Sequence, residues 1–223
     1  MRKLNSGFII SLITVFFVFI SGTAFSQEGE GGQSLKKLME GNKRYLSGSL
    51  KPKDFSKERA EQSGGQNPYA IILSCSDSRV PPEIIFDEDL GDLFIIRVAG
   101  NVIDEVTLGS IEYAAEHLHT PMLLVLGHSK CGAVKASLGK GDFGKNIGSI
   151  VKRIKPAVEH ARKENQDEEK ILPASVEFNV INQIGTCVKS SKIIKELEHE
   201  GKFKIVGGVY DIDSGQFNRI IEK

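Results

Sequence analysis

Three short apolar runs constrain this chain more than anything else in it. Tyr69–Ser74 reads YAIILS, Leu93–Val98 reads LFIIRV and Met122–Gly127 reads MLLVLG. None alternates apolar with polar residues, so each predicts a strand covered on both faces, as in a parallel sheet flanked by helices. A helical pattern over Asp104–His117 separates the second run from the third, and others follow over Ala133–Leu138, Ile147–Lys163 and Ala174–Leu197. Lys204–Tyr210 and Gln216–Ile221, around Asp213-Ser214-Gly215, predict a closing strand pair. Strands alternating with helices indicate an α/β domain with a mainly parallel sheet. Such sheets bind ligands beyond the carboxyl ends of their strands.

The segments before the first run read differently. Arg2 and Lys3 precede an apolar run of 13 residues, Phe8–Ile20, and small residues stand at Ala24 and Ser26. This is the three-part pattern of a secretory signal peptide over residues 1–26. The run is shorter than the roughly 20 residues a spanning helix needs, so no stable membrane insertion is expected after cleavage. Residues 27–33 read as a flexible leader and 34–223 as a single domain. Within that domain an amphipathic stretch, Leu35–Leu46, precedes a segment punctuated by Gly, Ser and Pro as far as Pro68.

Charge excludes some partners. Basic and acidic residues number 29 each, and loss of Arg2 and Lys3 leaves a net charge of −2. No basic excess points to nucleic acid. The three cysteines are an odd number in a chain expected to be exported, and the spacing of two of them suits a metal better than a disulfide.

Two polar motifs stand at the exits of buried runs: Cys75-Ser76-Asp77-Ser78-Arg79 after the first, and His128-Ser129-Lys130-Cys131-Gly132 after the third. Cys75, His128 and Cys131 form a two-sulfur, one-nitrogen set that suits zinc and leaves one tetrahedral position open, as catalytic zinc sites do. Residues i, i+2 and i+4 of an extended segment point the same way, so Cys75, Asp77 and Arg79 can share one side. Asp77 could be a fourth ligand or a hydrogen-bond partner of bound solvent. Arg79 can grip that carboxylate through two parallel bonds and keep it ionised. Zinc lowers the pKa of bound water from about 15.7 toward roughly 7. Cys187 reads as a core residue, and His117, His119, His160 and His199 as surface or satisfied ones.

These motifs, CSDSR at 75–79 and LGHSKCGA at 126–133, with VPPEIIFDEDLGDLFIIRVAGN at 80–101 between them, resemble the beta class of carbonic anhydrases. The likeness runs from about Leu35 to the C-terminus. It implies one zinc ion per chain on Cys75, His128 and Cys131, and a catalytic dyad of Asp77 and Arg79. It further implies substrate-binding roles for Gln66 (across a dimer interface), Phe94, Tyr113 and Gly132. The implied fold is a four-stranded parallel core plus a fifth strand, with N-terminal helices that embrace a partner in a homodimer or dimer of dimers. Ile72 stands where bicarbonate-regulated members carry Trp, which implies an open, non-cooperative site. One departure is Val98-Ala99-Gly100-Asn101, where many relatives have Asn-Val-Ala-Asn.

The expected reaction is reversible hydration of carbon dioxide to bicarbonate, in a bacterial periplasm. Alternatives on the same site are hydrolysis of carbonyl sulfide or carbon disulfide, or a non-catalytic bicarbonate-binding role.

Overall fold

The computed structural model describes residues 29–223; the expected signal peptide lies outside them. The strands are β1 (Ala70–Ser74), β2 (Leu93–Arg97), β3 (Met122–His128), β4 (Lys204–Tyr210) and β5 (Phe217–Glu222). They form one sheet in the order β2-β1-β3-β4-β5. The first four are parallel and β5 returns antiparallel to β4, so the expected parallel core with a fifth strand is what the chain builds. The helices are α1 (Glu30–Ser47), α2 (Phe55–Glu61), α3 (Pro82–Ile85), α4 (Glu105–Glu116), α5 (Gly132–Leu138), α6 (Gly144–Glu164), α7 (Glu168–Ser190) and α8 (Lys192–His199). None of the described helices is long and apolar enough to cross a membrane.

Every residue of β1 and β3 is buried, and the two faces of the sheet divide by parity, as a strand's alternating side chains require. Ile71, Leu73, Leu123, Val125 and Ile205 pack with Ile111 of α4, Val180 and Ile184 of α7 and Ile194 of α8. Ile72, Leu124, Leu126 and Val206 face Leu35 and Leu38 of α1 and Ile85 and Phe86. At about 1.5–3 kcal/mol for each fully buried aliphatic side chain, these two layers supply most of the drive to fold. A third cluster, Val102, Val134, Ile154, Val158 and Val176, lies around Cys75 and Cys131 where the loops leave the sheet.

α1 is tied down by polar contacts as well as by its apolar face. Asn42 donates to the carbonyls of Ile85 (3.2 Å) and Gly215 (3.0 Å) and accepts from the Phe217 amide (2.9 Å). Arg44 donates to Asp87 at 2.5 Å, and the Lys51 amide reaches the same carboxylate at 3.1 Å.

Four boundaries differ from expectation. Helix α1 begins at Glu30, inside the stretch expected to be a flexible leader, and Gly31 and Gly32 are buried there. A Cβ on Gly31 would stand 2.9 Å from the Pro121 carbonyl oxygen, so the glycine lets the helix approach the sheet. The punctuated segment contains α2, capped by Asp54, whose carboxylate accepts from the Lys57 amide. Another helix, α3, starts on Pro82. The pattern over Ala174–Leu197 is two helices: Ser191 interrupts it, and its hydroxyl accepts the Ile194 amide at 3.0 Å as the N-cap of α8.

Candidate active site

The parallel sheet delivers two chain exits side by side. β1 ends at Ser74 and β3 at His128, in neighbouring register, with Ser74 opposite Leu126. Cys75 therefore leaves the sheet close to His128. Lys130 takes the left-handed conformation (φ 58°), which bends the chain so that Cys131 turns back before α5. The amide of Ser129 continues the β3–β4 ladder to Tyr210 at 2.9 Å, and the Ser129 hydroxyl accepts from the Ile212 amide at 2.9 Å. This turn is thus anchored on both sides.

The ligating atoms of Cys75, His128 and Cys131 all lie within 4.8 Å of one another. The three residues are 5 %, 0 % and 1 % exposed. His128 Nδ1 lies 2.9 Å from the Ser129 carbonyl; a carbonyl only accepts, so Nδ1 carries the proton and Nε2 presents a lone pair. That Nε2 is buried and has no hydrogen-bond partner in the protein. A buried polar atom without a partner is costly, and this one points among two sulfurs, which is the donor chemistry of a metal site.

The two thiols share their proton unequally. The neighbouring Cys131 thiol is the main reason the Cys75 pKa lies well below that of an ordinary cysteine, with help from the Gly100 amide at 3.3 Å from its sulfur. Cys131 is pushed up by Cys75 and by burial. A cation between them would let both ionise.

Asp77 is pinned. Arg79 Nε donates to Oδ1 at 2.9 Å, Nη2 to Oδ2 at 2.8 Å, and the Arg79 amide to Oδ1 at 3.0 Å. Those bonds hold the Asp77 carboxyl far below the usual carboxylate range. Its Oδ2 stands 3.9 Å from His128 Nε2, so the carboxylate overlooks the cluster without displacing anything in it. A further residue fixes this segment: Arg97, at the end of β2, donates from Nε to the Cys75 carbonyl (3.0 Å) and from Nη2 to the Asp77 carbonyl (2.5 Å). Sequence reasoning missed it, although an arginine closing an otherwise apolar strand was a signal.

Of the four other expected site residues, three stand apart from this cluster within one chain. Gln66 is exposed in the segment leading into the amino end of β1, the far end from Cys75. Phe94 and Tyr113 meet each other, with ring centroids 6.3 Å apart. Phe94 belongs to the α4 side of the core rather than to the residues around the cysteines, and Tyr113 is 49 % exposed. Gly132 opens α5 next to Cys131, with open space where a Cβ would be.

The family model described as carbonic anhydrase matches residues 70–217. Carbonic anhydrase 2 of Mycobacterium tuberculosis is 39 % identical over 186 residues, covering 81 % of this chain and 88 % of that protein. A carbonic anhydrase of Mycolicibacterium smegmatis is 38 % identical over 186 residues, covering 81 % and 89 %. Among solved structures, a tetrameric beta-carbonic anhydrase from Sordaria macrospora superposes with a TM-score of 0.68 at 26 % identity, over 86 % of this chain and 96 % of the other. The chain belongs to the beta-class carbonic anhydrases. A Coccomyxa beta-carbonic anhydrase in complex with acetazolamide gives a TM-score of 0.69 at 26 % identity, over 75 % of this chain and 79 % of that one. In this carbonic anhydrase the matched region spans both chemistry-bearing strand exits, so the Cys-His-Cys cluster and the Asp77–Arg79 pair fall inside the family's own domain.

Proposed function

We propose that this enzyme interconverts carbon dioxide and bicarbonate, using one zinc ion per chain held by Cys75, His128 and Cys131. The observation that carries the reading is the partnerless Nε2 of His128 among two sulfurs, with an arginine-pinned carboxylate 3.9 Å away. Zinc, when bound, supplies the Lewis acidity that makes water a nucleophile near neutral pH.

The chain's own residues do the rest. An ionised carboxylate can only accept hydrogen bonds, so a water beside Asp77 Oδ2 must donate to it. Its remaining lone pair is then turned toward the incoming carbon. Arg79 keeps Asp77 ionised and, by occupying both oxygens, away from the metal ligands, which supports an open, non-cooperative site. Arg97 fixes the backbone on which both sit, the kind of positioning that converts an encounter into an oriented attack.

The reading extends to assembly and location. β2 is an edge strand left half-buried, and Val106 on α4 beside it is 78 % exposed. An unpaired edge with apolar surface supports burial against a second copy. In such a homodimer, or dimer of dimers, the partner's Gln66 and the exposed Tyr113 could complete the substrate pocket with Phe94 and Gly132, and the N-terminal helices could embrace the partner. Arg2, Lys3 and the run Phe8–Ile20 support export to a periplasm.

The test is stopped-flow hydration of carbon dioxide by the purified protein, zinc-loaded and zinc-stripped, near pH 7 and pH 8. Fast turnover that disappears with the metal and returns on its re-addition is expected. Absence of turnover at both pH values with zinc bound would refute the reading.

A further inference from the structure

Helix α7 turns an apolar face to the sheet through Val176, Val180, Ile184 and Cys187, yet two amides, Asn179 and Gln183, stand one turn apart in the middle of it. They are 1 % and 2 % exposed. Burying an amide is costly unless its polar atoms are paired, so their partners say what they are for. Asn179 Nδ2 donates to the Gly100 carbonyl at 2.9 Å. Gln183 Nε2 donates to Asn179 Oδ1 at 3.1 Å, and Gln183 Oε1 accepts from the Ile103 amide at 2.8 Å. The two side chains thus hold both ends of the turn Gly100–Ile103.

That turn touches the metal-ligand set. The Gly100 amide donates to the Cys75 sulfur at 3.3 Å. Gly100 sits at φ 71°, a left-handed conformation that favours glycine, and a Cβ there would stand 2.6 Å from Ile154 Cδ1. Glycine is also the residue whose own backbone restrains it least. Its conformation is therefore set from outside: its N–H belongs to the peptide before it and its carbonyl to the peptide after it, and the side-chain bond on that carbonyl comes from Asn179.

We propose that Asn179, braced by Gln183, is a positioning residue for the metal centre: it fixes the Gly100–Asn101 peptide and, with Gln183 on the Ile103 amide, holds the turn in which the Gly100 N–H meets the Cys75 sulfur, so keeping that sulfur in place for a bound ion. This rests on the metal-centre reading above. Losing an outer partner that orients a metal ligand typically costs about 10–100-fold in metal affinity.

The experiment is zinc affinity by competition with a chromophoric chelator, together with the thiolate-to-metal absorption band of the cobalt(II)-loaded protein. Asn179→Leu is expected to weaken zinc binding about 10–100-fold and to shift the cobalt band. Gln183→Met is expected to do both to a smaller degree. Ser175→Ala removes a buried hydroxyl of the same helix that bonds only the Ile171 carbonyl (2.6 Å), and is expected to change neither. Wild-type affinity and spectrum in a folded Asn179→Leu protein would overturn the proposal. If that variant does not fold, the same null result in Gln183→Met overturns it. A wild-type protein that binds neither ion removes the metal-centre reading itself, and this proposal with it.

Discussion

Replacing Gly41 by alanine sets two effects of opposite sign against each other. Gly41 lies inside α1, where alanine is favoured over glycine by about 1 kcal/mol. A Cβ there, however, would stand 1.7 Å from the Phe86 carbonyl oxygen and 2.7 Å from its carbon, backbone atoms that cannot swing aside. Restoring ordinary contact requires α1 to retreat by about 1.5 Å, since interiors are close-packed. Asn42 is the next residue, and a retreat of that size stretches its three buried hydrogen bonds, now 2.9–3.2 Å long, beyond useful length. At a net of roughly 1 kcal/mol for each lost bond, and more where a buried group is orphaned, the loss is about 3–5 kcal/mol. Set against the propensity gain, a destabilisation of about 2–4 kcal/mol is expected. Urea unfolding at fixed protein and zinc concentration measures it: with an m-value of about 2–3 kcal/mol/M the midpoint should fall by about 1 M. Gly185→Ala is the control, a helical glycine of α7 with open space where the Cβ would go. It should raise the midpoint slightly. A Gly41→Ala midpoint equal to or above wild type would refute the argument.

Two further predictions concern charge. Asp77→Asn puts a possible donor where only acceptors serve; zinc should stay bound while carbon dioxide hydration falls by about 10²-fold or more, and turnover within a factor of about three of wild type would sink the dyad mechanism. Asp87 is fully buried; burial works to raise its pKa, but Arg44 and the Lys51 amide outweigh it and hold the carboxyl below its ordinary range. A depressed folded-state pKa contributes stability that is present above the unfolded value, near 3.9, and is lost as pH falls through the folded one. Wild type should therefore exceed Asp87→Asn in stability at pH 6, with the gap closing below about pH 4; parallel curves would contradict this.

Much of the fold was legible because its signals are local. Apart from Ser74 and His128 at their exits, β1 and β3 carry no polar side chain, as expected of strands buried on both faces. The Cys-His-Cys cluster was legible because two of its members sit three residues apart at a strand exit. What stayed hidden depends on partners distant in sequence. Residues 27–33 looked like a flexible leader because the use of Gly31, letting α1 lie against Pro121 and Lys204, is invisible without the neighbour. The first turns of α7 were masked by Pro173, which reads as a boundary. Arg97, Asn179 and Gln183 act on backbone groups 20 to 80 residues away, and no periodicity announces that. Gln66 and Tyr113 came only from family likeness, and within a single chain neither meets the cysteines.

If zinc is held as proposed, the separation of its ligands along the chain governs when the protein can take it up. Cys75 must come to residues 128 and 131, and it does so through the parallel pairing of β1 with β3. Parallel pairing cannot form from a hairpin; it waits for the crossover that carries β2 and α4, a slow, non-local event. Until then the unfolded chain offers a cation only a His-x-x-Cys pair. Loading is therefore late and thermodynamically one-sided. An ion that binds the native state alone stabilises it by about 2.7 kcal/mol at a hundred times its Kd. On that reading, free metal in the compartment where the chain folds would govern its lifetime against proteases, and scarcity would lower the amount of enzyme as well as the activity of each molecule.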